Sequence, residues 1–223
     1  MNKHNPPNPR DLLRAARLVP VLTIRREADA VPLARALLAG GVRTLEVTLR
    51  TPVGAAAARR IRDALPSAVV GLGTVLTPTD LALVDELDLA FAISPGATPA
   101  LLDAAVALDV QLVPGVQTAS ELMAALERGF DTVKFFPAEP AGGIAALRAL
   151  AGPFPAARFC PTGGIAEDRV PDWLAEPNVL AVGGSWLAPA AEVENGDWAA
   201  ITERARRAMV RLGGLTLQQG ATA

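Results

Sequence analysis

The chain has 223 residues, of which 51% are hydrophobic and 20% are charged, and its mean hydropathy is +0.30. This composition predicts a large buried core and excludes a disordered chain. The 21 basic and 23 acidic residues give a net charge of -2, which argues against a nucleic-acid-binding protein. No apolar run approaches the roughly 18 residues that a membrane span needs, and a single cysteine, Cys160, cannot form an intramolecular disulfide. We therefore expect a cytoplasmic protein without a nucleic-acid or membrane partner.

Short apolar runs alternate with Ala/Leu-rich segments of helical period along the chain. The predicted strands lie at residues 18–23, 44–49, 68–72, 89–93, 110–113, 132–136, 158–160 and 179–182. The predicted helices lie at residues 28–39, 53–65, 79–86, 99–108, 120–128, 143–150, 167–174 and 198–212. Eight such βα units in about 200 residues predict an α/β protein with a single (β/α)8 TIM barrel and an additional N-terminal helix. We expect one domain over residues 1–223, with peripheral tails at about 1–9 and 213–223.

An open doubly wound sheet is the alternative architecture. It is less attractive because the first predicted strand is followed by Arg25, Arg26 and Glu27, where a dinucleotide-binding sheet has a glycine-rich loop.

Helix boundaries carry recognisable signals: Thr77-Pro78 and Thr98-Pro99 resemble N-caps followed by proline in the first turn.

The distribution of lysine and histidine points to one residue. Lysine occurs only at Lys3 and Lys134, so the remaining 19 of the 21 basic residues are arginine. An ammonium group can lose its proton in an apolar pocket and become a nucleophile, whereas a guanidinium stays protonated. The only histidine, His4, lies in the Pro/Asn-rich start of the chain, so a catalytic triad and a histidine-based metal site both lack their central residue.

Strand alternation places Glu46 and Lys134 in the same predicted interior. In residues 44–50 the apolar side chains alternate with Thr44, Glu46, Thr48 and Arg50. In a barrel this polar face points inwards, where charged groups are costly unless they serve a site. Lys134 shares its face with Phe136, and apolar surroundings together with nearby Arg50 would favour the neutral amine. A half-exposed strand and a lysine that reaches solvent are the structural alternatives.

Glycine clusters follow the last two predicted strands. Thr162-Gly163-Gly164 follows the seventh, and Gly183-Gly184-Ser185 follows the eighth. In a barrel these are the loops whose backbone N–H groups usually bind phosphate. Each cluster alone is more often a tight turn, but the two at corresponding positions favour an anion site. Thr74, after the third strand, is either a hydrogen-bond donor to substrate or a capping residue.

Together these motifs resemble one family, the class I 2-dehydro-3-deoxy-phosphogluconate (KDPG) and 4-hydroxy-2-oxoglutarate (KHG) aldolases. The motifs are LEVTLRT at 45–51, GTV at 73–75, AISPG at 92–96, VPG at 113–115, VKFFPAE at 133–139, CPTGGI at 160–165 and VGGSW at 182–186. The ordered series covers nearly the whole chain and is far more specific than any single glycine turn.

The resemblance implies an Entner-Doudoroff type aldolase and a role for each matching residue. Lys134 matches the Schiff-base lysine and Glu46 the general acid/base. The substrate-binding positions match Arg50, Thr74, Pro95, Phe136 and Thr162, and the phosphate-binding positions match Gly163, Gly164, Gly184 and Ser185. The substrates implied are a phosphorylated 2-keto-3-deoxy sugar acid and pyruvate. The resemblance also implies a homotrimer that needs no metal or organic cofactor.

Three other functions stay open at this point. A 2-dehydro-3-deoxy-6-phosphogalactonate aldolase would differ in preference for one hydroxyl configuration, which contacts near Thr162 would set. A phosphate-binding barrel isomerase or epimerase would use Glu46 to move protons, with Lys134 acting only electrostatically. A non-catalytic phosphosugar-binding barrel would use Lys134 and Arg50 only to pair ligand charges.

Overall fold

The computed structural model describes residues 8–219, in which strands and helices alternate. The strands are β1 (Leu18–Leu22), β2 (Thr44–Thr48), β3 (Val69–Gly73), β4 (Phe91–Ile93), β5 (Leu112–Val113), β6 (Gly115–Val116), β7 (Thr132–Phe135), β8 (Arg158–Phe159) and β9 (Val182–Gly184). The helices are α1 (Pro9–Ala16), α2 (Ala30–Ala39), α3 (Gly54–Ala64), α4 (Pro78–Glu86), α5 (Pro99–Leu108), α6 (Ala119–Leu126), α7 (Gly143–Ala151), α8 (Val170–Leu174), α9 (Ala190–Asn195) and α10 (Trp198–Gln219). Short 3₁₀ turns, Glu27–Asp29 and Glu167–Arg169, precede α2 and α8.

All strand pairs are parallel, and the sheet curls. Six strands are ordered β5-β4-β3-β2-β1-β9, and three more are ordered β6-β7-β8. The chain itself joins the two groups at Pro114, between β5 and β6. At the other side, single bridges pair Phe159 with Val179 and Thr162 with Gly183. The fold is therefore α/β with a curled parallel sheet, whose strand carboxyl ends point to one end of the molecule.

Two apolar clusters lie on opposite faces of this sheet. Leu45 and Val47 of β2, like Val133 and Phe135 of β7, pack in the larger cluster with the helices. The smaller cluster lies on the concave face and contains Val19, Phe91, Ile93, Val113, Cys160, Leu180 and Ala181, together with Leu12 and Leu13 of α1. Because successive side chains of a strand point to opposite faces, Glu46 and Lys134 point to the concave face.

The predicted capping signals are confirmed. The Thr77 side chain accepts a hydrogen bond from the Asp80 N–H at 3.1 Å, and Thr98 accepts one from the Leu101 N–H at 3.2 Å. In both helices proline occupies the first turn, where its missing N–H costs no helical bond. These caps fix the start of α4 and α5 directly after the loops that leave β3 and β4.

The structure differs from the prediction near proline and in short elements. The predicted fifth strand continues beyond Pro114, which interrupts the pairing because proline has no N–H to donate. The last strand begins at Val182, since Val179 makes only an isolated bridge. Helix α9 was not predicted because its six residues bury only Val193. Helix α10 continues to Gln219, beyond the predicted end at 212.

Parts of the predicted tails cannot be compared with the structure. Residues 1–7, including His4 and Lys3, and residues 220–223 lie outside the described residues. Within residues 8–219, no helix is both long and apolar enough to cross a membrane.

Candidate active site

Lys134 and Glu46 form a buried ion pair on the concave face of the sheet. Lys134 Nζ donates a hydrogen bond to Glu46 Oε1 at 3.1 Å, and their side chains are 4% and 1% exposed. Strands β7 and β2 are not neighbours in the sheet, so the two side chains meet across the interior. Removing one partner of such a pair would leave an uncompensated buried charge. An amine and a carboxylate at hydrogen-bond distance can also exchange a proton.

Two glycines allow close packing around this pair. A Cβ on Gly73, at the end of β3, would collide with Glu46 Oε1. Gly115 pairs with Lys134 in the ladder of β6 and β7, and a Cβ there would collide with the Pro95 carbonyl group. Glycine at position 73 therefore leaves space for the Glu46 carboxylate. Glycine at position 115 lets the Pro95 backbone pack against β6, the strand next to the one that carries Lys134.

Phe136 and Cys160 complete the surroundings of the amine. The Phe136 ring centroid lies 5.3 Å from Lys134 Nζ, within the range of a cation–π contact, and this ring is half-buried. Burial raises the pKa of the Cys160 thiol to about 12, while Lys134 opposes the shift and Glu46 adds to it. The thiol is therefore protonated at neutral pH and a poor nucleophile.

Three predicted substrate-binding residues follow the carboxyl ends of consecutive strands. Arg50 is exposed two residues after β2, and among the described residues its guanidinium forms no ion pair. Thr74 follows β3 with a left-handed φ of 59°, and Pro95 follows β4. Both are half-buried. The structure thus places Arg50, Thr74 and Pro95 beyond the carboxyl ends of the strands, whereas Lys134 and Glu46 lie within strands.

The two predicted glycine loops lie side by side. Gly163 and Gly164 have φ values of 104° and 78°, in the left-handed region that glycine adopts readily. The bridge between Thr162 and Gly183 aligns this loop with Gly184 and Ser185. Within the described part of the chain, the backbone N–H groups of Gly163, Gly164 and Ser185 donate no hydrogen bond. Free N–H groups on adjacent loops are suited to binding an anion.

Thr162 is buried, and its hydroxyl group already has a hydrogen-bond partner within the protein. It is 5% exposed, and its hydroxyl donates to the Cys160 carbonyl oxygen at 3.3 Å. A Cβ on Gly183 would collide with Thr162 Oγ1, so the close approach of the two chains depends on that glycine. The hydroxyl is thus held at the junction of the two loops, between the inner cluster and the strand ends.

Sequence reasoning missed two features of the site. It quoted Gly73 only within a motif, although glycine next to an inward-facing acidic residue on the neighbouring strand is a signal of close packing. It quoted Glu139 within a motif without a role, and the structure joins Glu139 Oε1 to Trp173 Nε1 at 2.9 Å. Within residues 8–219, no group of three or more His, Cys, Asp or Glu side chains lies close enough to hold a metal ion.

Comparisons with known proteins agree with the motifs. Residues 10–204 match the family model for KDPG and KHG aldolase. The KHG/KDPG aldolase of Escherichia coli K12 is 51% identical over 198 residues, which cover 89% of this chain and 93% of that protein.

Two solved structures are similar in sequence and fold. The KDPG aldolase of Legionella pneumophila, with pyruvate captured as a covalent carbinolamine intermediate, has a TM-score of 0.88 and 44% identity, covering 90% of this chain and 98% of that one. The 2-keto-3-deoxy-6-phosphogluconate aldolase of Zymomonas mobilis ZM4 with 3-phosphoglycerate has a TM-score of 0.85 and 46% identity, covering 89% and 93%. The resemblance expected from the motifs is confirmed, and the chain belongs to the KDPG and KHG aldolase family.

Proposed function

We propose that this protein is a class I aldolase that cleaves 2-dehydro-3-deoxy-6-phospho-D-gluconate to pyruvate and D-glyceraldehyde 3-phosphate. The same chemistry would cleave 4-hydroxy-2-oxoglutarate to pyruvate and glyoxylate. The observation that carries the proposal is the buried pair of Lys134 and Glu46 at 3.1 Å. The carbinolamine in the Legionella relative supports it, since a carbinolamine forms when an amine adds to a ketone.

The reaction begins with an exchange of a proton within the pair. Lys134 passes a proton to Glu46, and the neutral amine attacks the C2 ketone of the substrate to form a carbinolamine. Loss of water then leaves an iminium ion, with Glu46 in position to supply the proton for the departing hydroxyl group. The surrounding inner cluster limits competition by solvent, because both side chains are almost fully buried.

Carbon–carbon cleavage uses the same two residues, with Glu46 now accepting a proton from the substrate. Glu46, directly or through a water molecule, takes the proton of the C4 hydroxyl group. The electrons of the C3–C4 bond then flow to the iminium nitrogen, which releases the aldehyde and leaves an enamine. Protonation of the enamine at C3 and hydrolysis of the resulting imine release pyruvate and restore the Lys134 amine.

Arg50 and Thr74 bind the carboxylate of the pyruvate portion, while Pro95 and Phe136 pack beside it. We expect Arg50→Ala to raise the KM for substrate about 10- to 100-fold, the effect of losing charged hydrogen bonds to a carboxylate. Folding should be unchanged, since Arg50 is exposed. Arg43→Ala is the matched control, because Arg43 is equally exposed but precedes the amino end of the same strand. Steady-state kinetics of both variants would contradict this role if their KM values agreed.

The phosphate end of the substrate binds the glycine loops. Gly163, Gly164, Gly184 and Ser185 supply backbone N–H groups, three of which donate no hydrogen bond within the described residues. The 3-phosphoglycerate named with the Zymomonas relative carries a phosphate group of the same kind. Thr162, at the junction of these loops, contacts the substrate hydroxyl groups and influences the preferred sugar configuration.

Gly73→Ala tests whether the position of Glu46 matters for turnover. The new methyl group would collide with Glu46 Oε1 and displace the carboxylate. We expect kcat to fall about 10²-fold, as for other small misplacements of a reacting group. Gly96→Ala is the control, since a Cβ at Gly96 meets no atom within 4 Å. Retention of wild-type kcat by Gly73→Ala would show that Glu46 needs no fixed position.

The experiment that tests the proposed function is reduction of the protein with borohydride in the presence of pyruvate, followed by intact-mass measurement and peptide mapping. The expected result is a single pyruvyl addition, located at Lys134. No addition to the folded protein would overturn the class I mechanism and favour an isomerase, an epimerase or a binding protein. Cleavage assays with the gluconate- and galactonate-derived substrates would then identify the preferred configuration.

The architecture completes the proposal. Pairing from β9 through β1 to β5, continuation of the chain into β6, and the bridges beyond β8 support a closed (β/α)8 barrel formed as a single domain, with α1 at its amino end. A homotrimer, a cytoplasmic location and a reaction without metal or organic cofactor remain predictions from the family resemblance and the composition.

A further inference from the structure

Glu139 links the strand that carries Lys134 to the first glycine loop, defined here as Thr162, Gly163 and Gly164. Its backbone N–H donates to the Gly163 carbonyl oxygen at 3.0 Å. The preceding N–H, of Ala138, donates to the Thr162 carbonyl oxygen at 2.8 Å. The pairing between β7 and β8 therefore continues past the strand ends, and it includes the loop expected to hold phosphate.

The Glu139 side chain also connects this region to the helix that follows the glycine loop. Its Oε1 accepts a hydrogen bond from Trp173 Nε1 at 2.9 Å, and Trp173 lies in α8, the first α-helix after the glycine loop. Trp173 is fully buried and contacts the Phe135 ring at a centroid distance of 6.5 Å. Phe135 is the immediate neighbour of Lys134. The indole therefore fixes the Glu139 carboxylate to the packed part of the molecule.

The packing between Glu139 and the glycine loop is also close. A Cβ on Gly164 would lie 3.0 Å from the Glu139 Cβ, and one on Gly163 would lie 3.1 Å from the Phe136 ring. Movement of Glu139 would thus change the position of the loop, including the two N–H groups that donate no hydrogen bond in the described chain.

We propose that Glu139, held by Trp173, is a positioning residue that orients the N–H groups of Gly163 and Gly164 towards a phosphate group of the ligand. The identity of the natural phosphorylated ligand rests on the proposed function. The argument that the loop binds an anion rests only on the positions of its N–H groups. Glu139 acts through the loop and touches no reacting atom. The role requires a hydrogen-bond acceptor at this side chain and does not require its negative charge.

Three variants separate these requirements. Glu139→Ala removes the acceptor, Trp173→Phe removes the donor and keeps an aromatic ring, and Glu139→Gln keeps an acceptor without the charge. We expect the first two to raise the KM for the phosphorylated substrate about tenfold, the scale of weakening one hydrogen bond between the glycine loop and the phosphate group. Their kcat/KM for unphosphorylated 4-hydroxy-2-oxoglutarate should stay near the wild-type value, and Glu139→Gln should behave as wild type with both substrates.

A matched control removes another carboxylate near α8. Glu176 is 8% exposed and accepts two hydrogen bonds from Arg148, at 2.9 and 2.6 Å. Glu176→Ala should lower thermal stability without a selective change in the KM for the phosphorylated substrate. An equal loss with both substrates in Glu139→Ala, a Glu139→Gln variant as impaired as Glu139→Ala, or the same selective loss in Glu176→Ala would overturn the proposal.

Binding of inorganic phosphate gives a readout that does not depend on activity. ³¹P line broadening of phosphate by the wild-type protein should be weakened in Glu139→Ala and Trp173→Phe and retained in Glu139→Gln. Absence of cleavage by the wild-type protein would refute the proposed function, and this titration would still decide the role of Glu139. Equal broadening by all variants, or none by the wild-type protein, would refute the positioning role.

Discussion

Lys134→Arg should lose turnover and the pyruvate adduct together. Arginine keeps a cation beside Glu46, so the variant avoids the cost of about 3–5 kcal/mol for leaving one member of a buried pair alone. A guanidinium stays protonated and cannot attack the ketone. We expect kcat to fall by about 10⁴-fold or more, the scale of loss when a nucleophile is removed. Kinetics and borohydride trapping with pyruvate, performed on the same preparation, measure both losses.

The small number of lysines makes any remaining adduct easy to assign. After the substitution, Lys3 is the only lysine left in the chain, so any remaining adduct can be assigned to Lys3 or to the amino terminus. Circular dichroism and thermal melting should show that the variant is folded. A variant that retains substantial cleavage activity would contradict the Schiff-base mechanism, whatever the trapping result.

In Glu46→Gln, Lys134 should still form a covalent adduct with pyruvate, while catalytic turnover should be strongly reduced. Glutamine keeps the size of the side chain but cannot accept the protons of the carbinolamine step or of the C4 hydroxyl group. We expect kcat to fall about 10²- to 10⁴-fold, the usual contribution of a general acid/base. The Lys134 amine is still present, so prolonged incubation with pyruvate and borohydride should still label it. The paired measurements are therefore single-turnover cleavage and the extent of labelling.

The control for Glu46→Gln is Glu176→Gln, which alters a buried, hydrogen-bonded carboxylate that the proposed mechanism does not use. Its kcat should match that of the wild type. If Glu46→Gln cleaved substrate at the wild-type rate, another group would have to move the protons. If Glu46→Gln lost activity and labelling completely while remaining folded, neither solvent nor another group could replace Glu46 as the acceptor of the Lys134 proton.

Strand periodicity was sufficient to predict which side chains face the interior. Leu45 and Val47 lie against the helices, and Glu46 lies on the concave face, because alternation along β2 is a local property of extended backbone. The same argument places Lys134 inside from its position in β7. Composition strengthened this prediction, since the chain uses arginine almost everywhere else.

Contacts between distant segments were not predictable in this way. Whether Gly73 touches Glu46 depends on the register of β2 and β3, which the connecting helix and its packing determine. The hydrogen bond between Glu139 and Trp173 joins residues 34 positions apart and follows no short sequence period. Pro114 could be seen in the sequence, but the continuation of the strand beyond it depends on pairing with β7.

Helix α1 has a consequence for the order of events in each catalytic cycle. Leu12 and Leu13 are 5% and 0% exposed and close the amino end of the inner cluster. We therefore expect substrate, water and both products to share one entrance, at the carboxyl ends of the strands. In the proposed mechanism, the three-carbon fragment stays covalently attached to Lys134 after cleavage, and we expect the aldehyde to lie between that fragment and this entrance. The proposed mechanism therefore predicts ordered release, with the aldehyde departing first and the keto acid second.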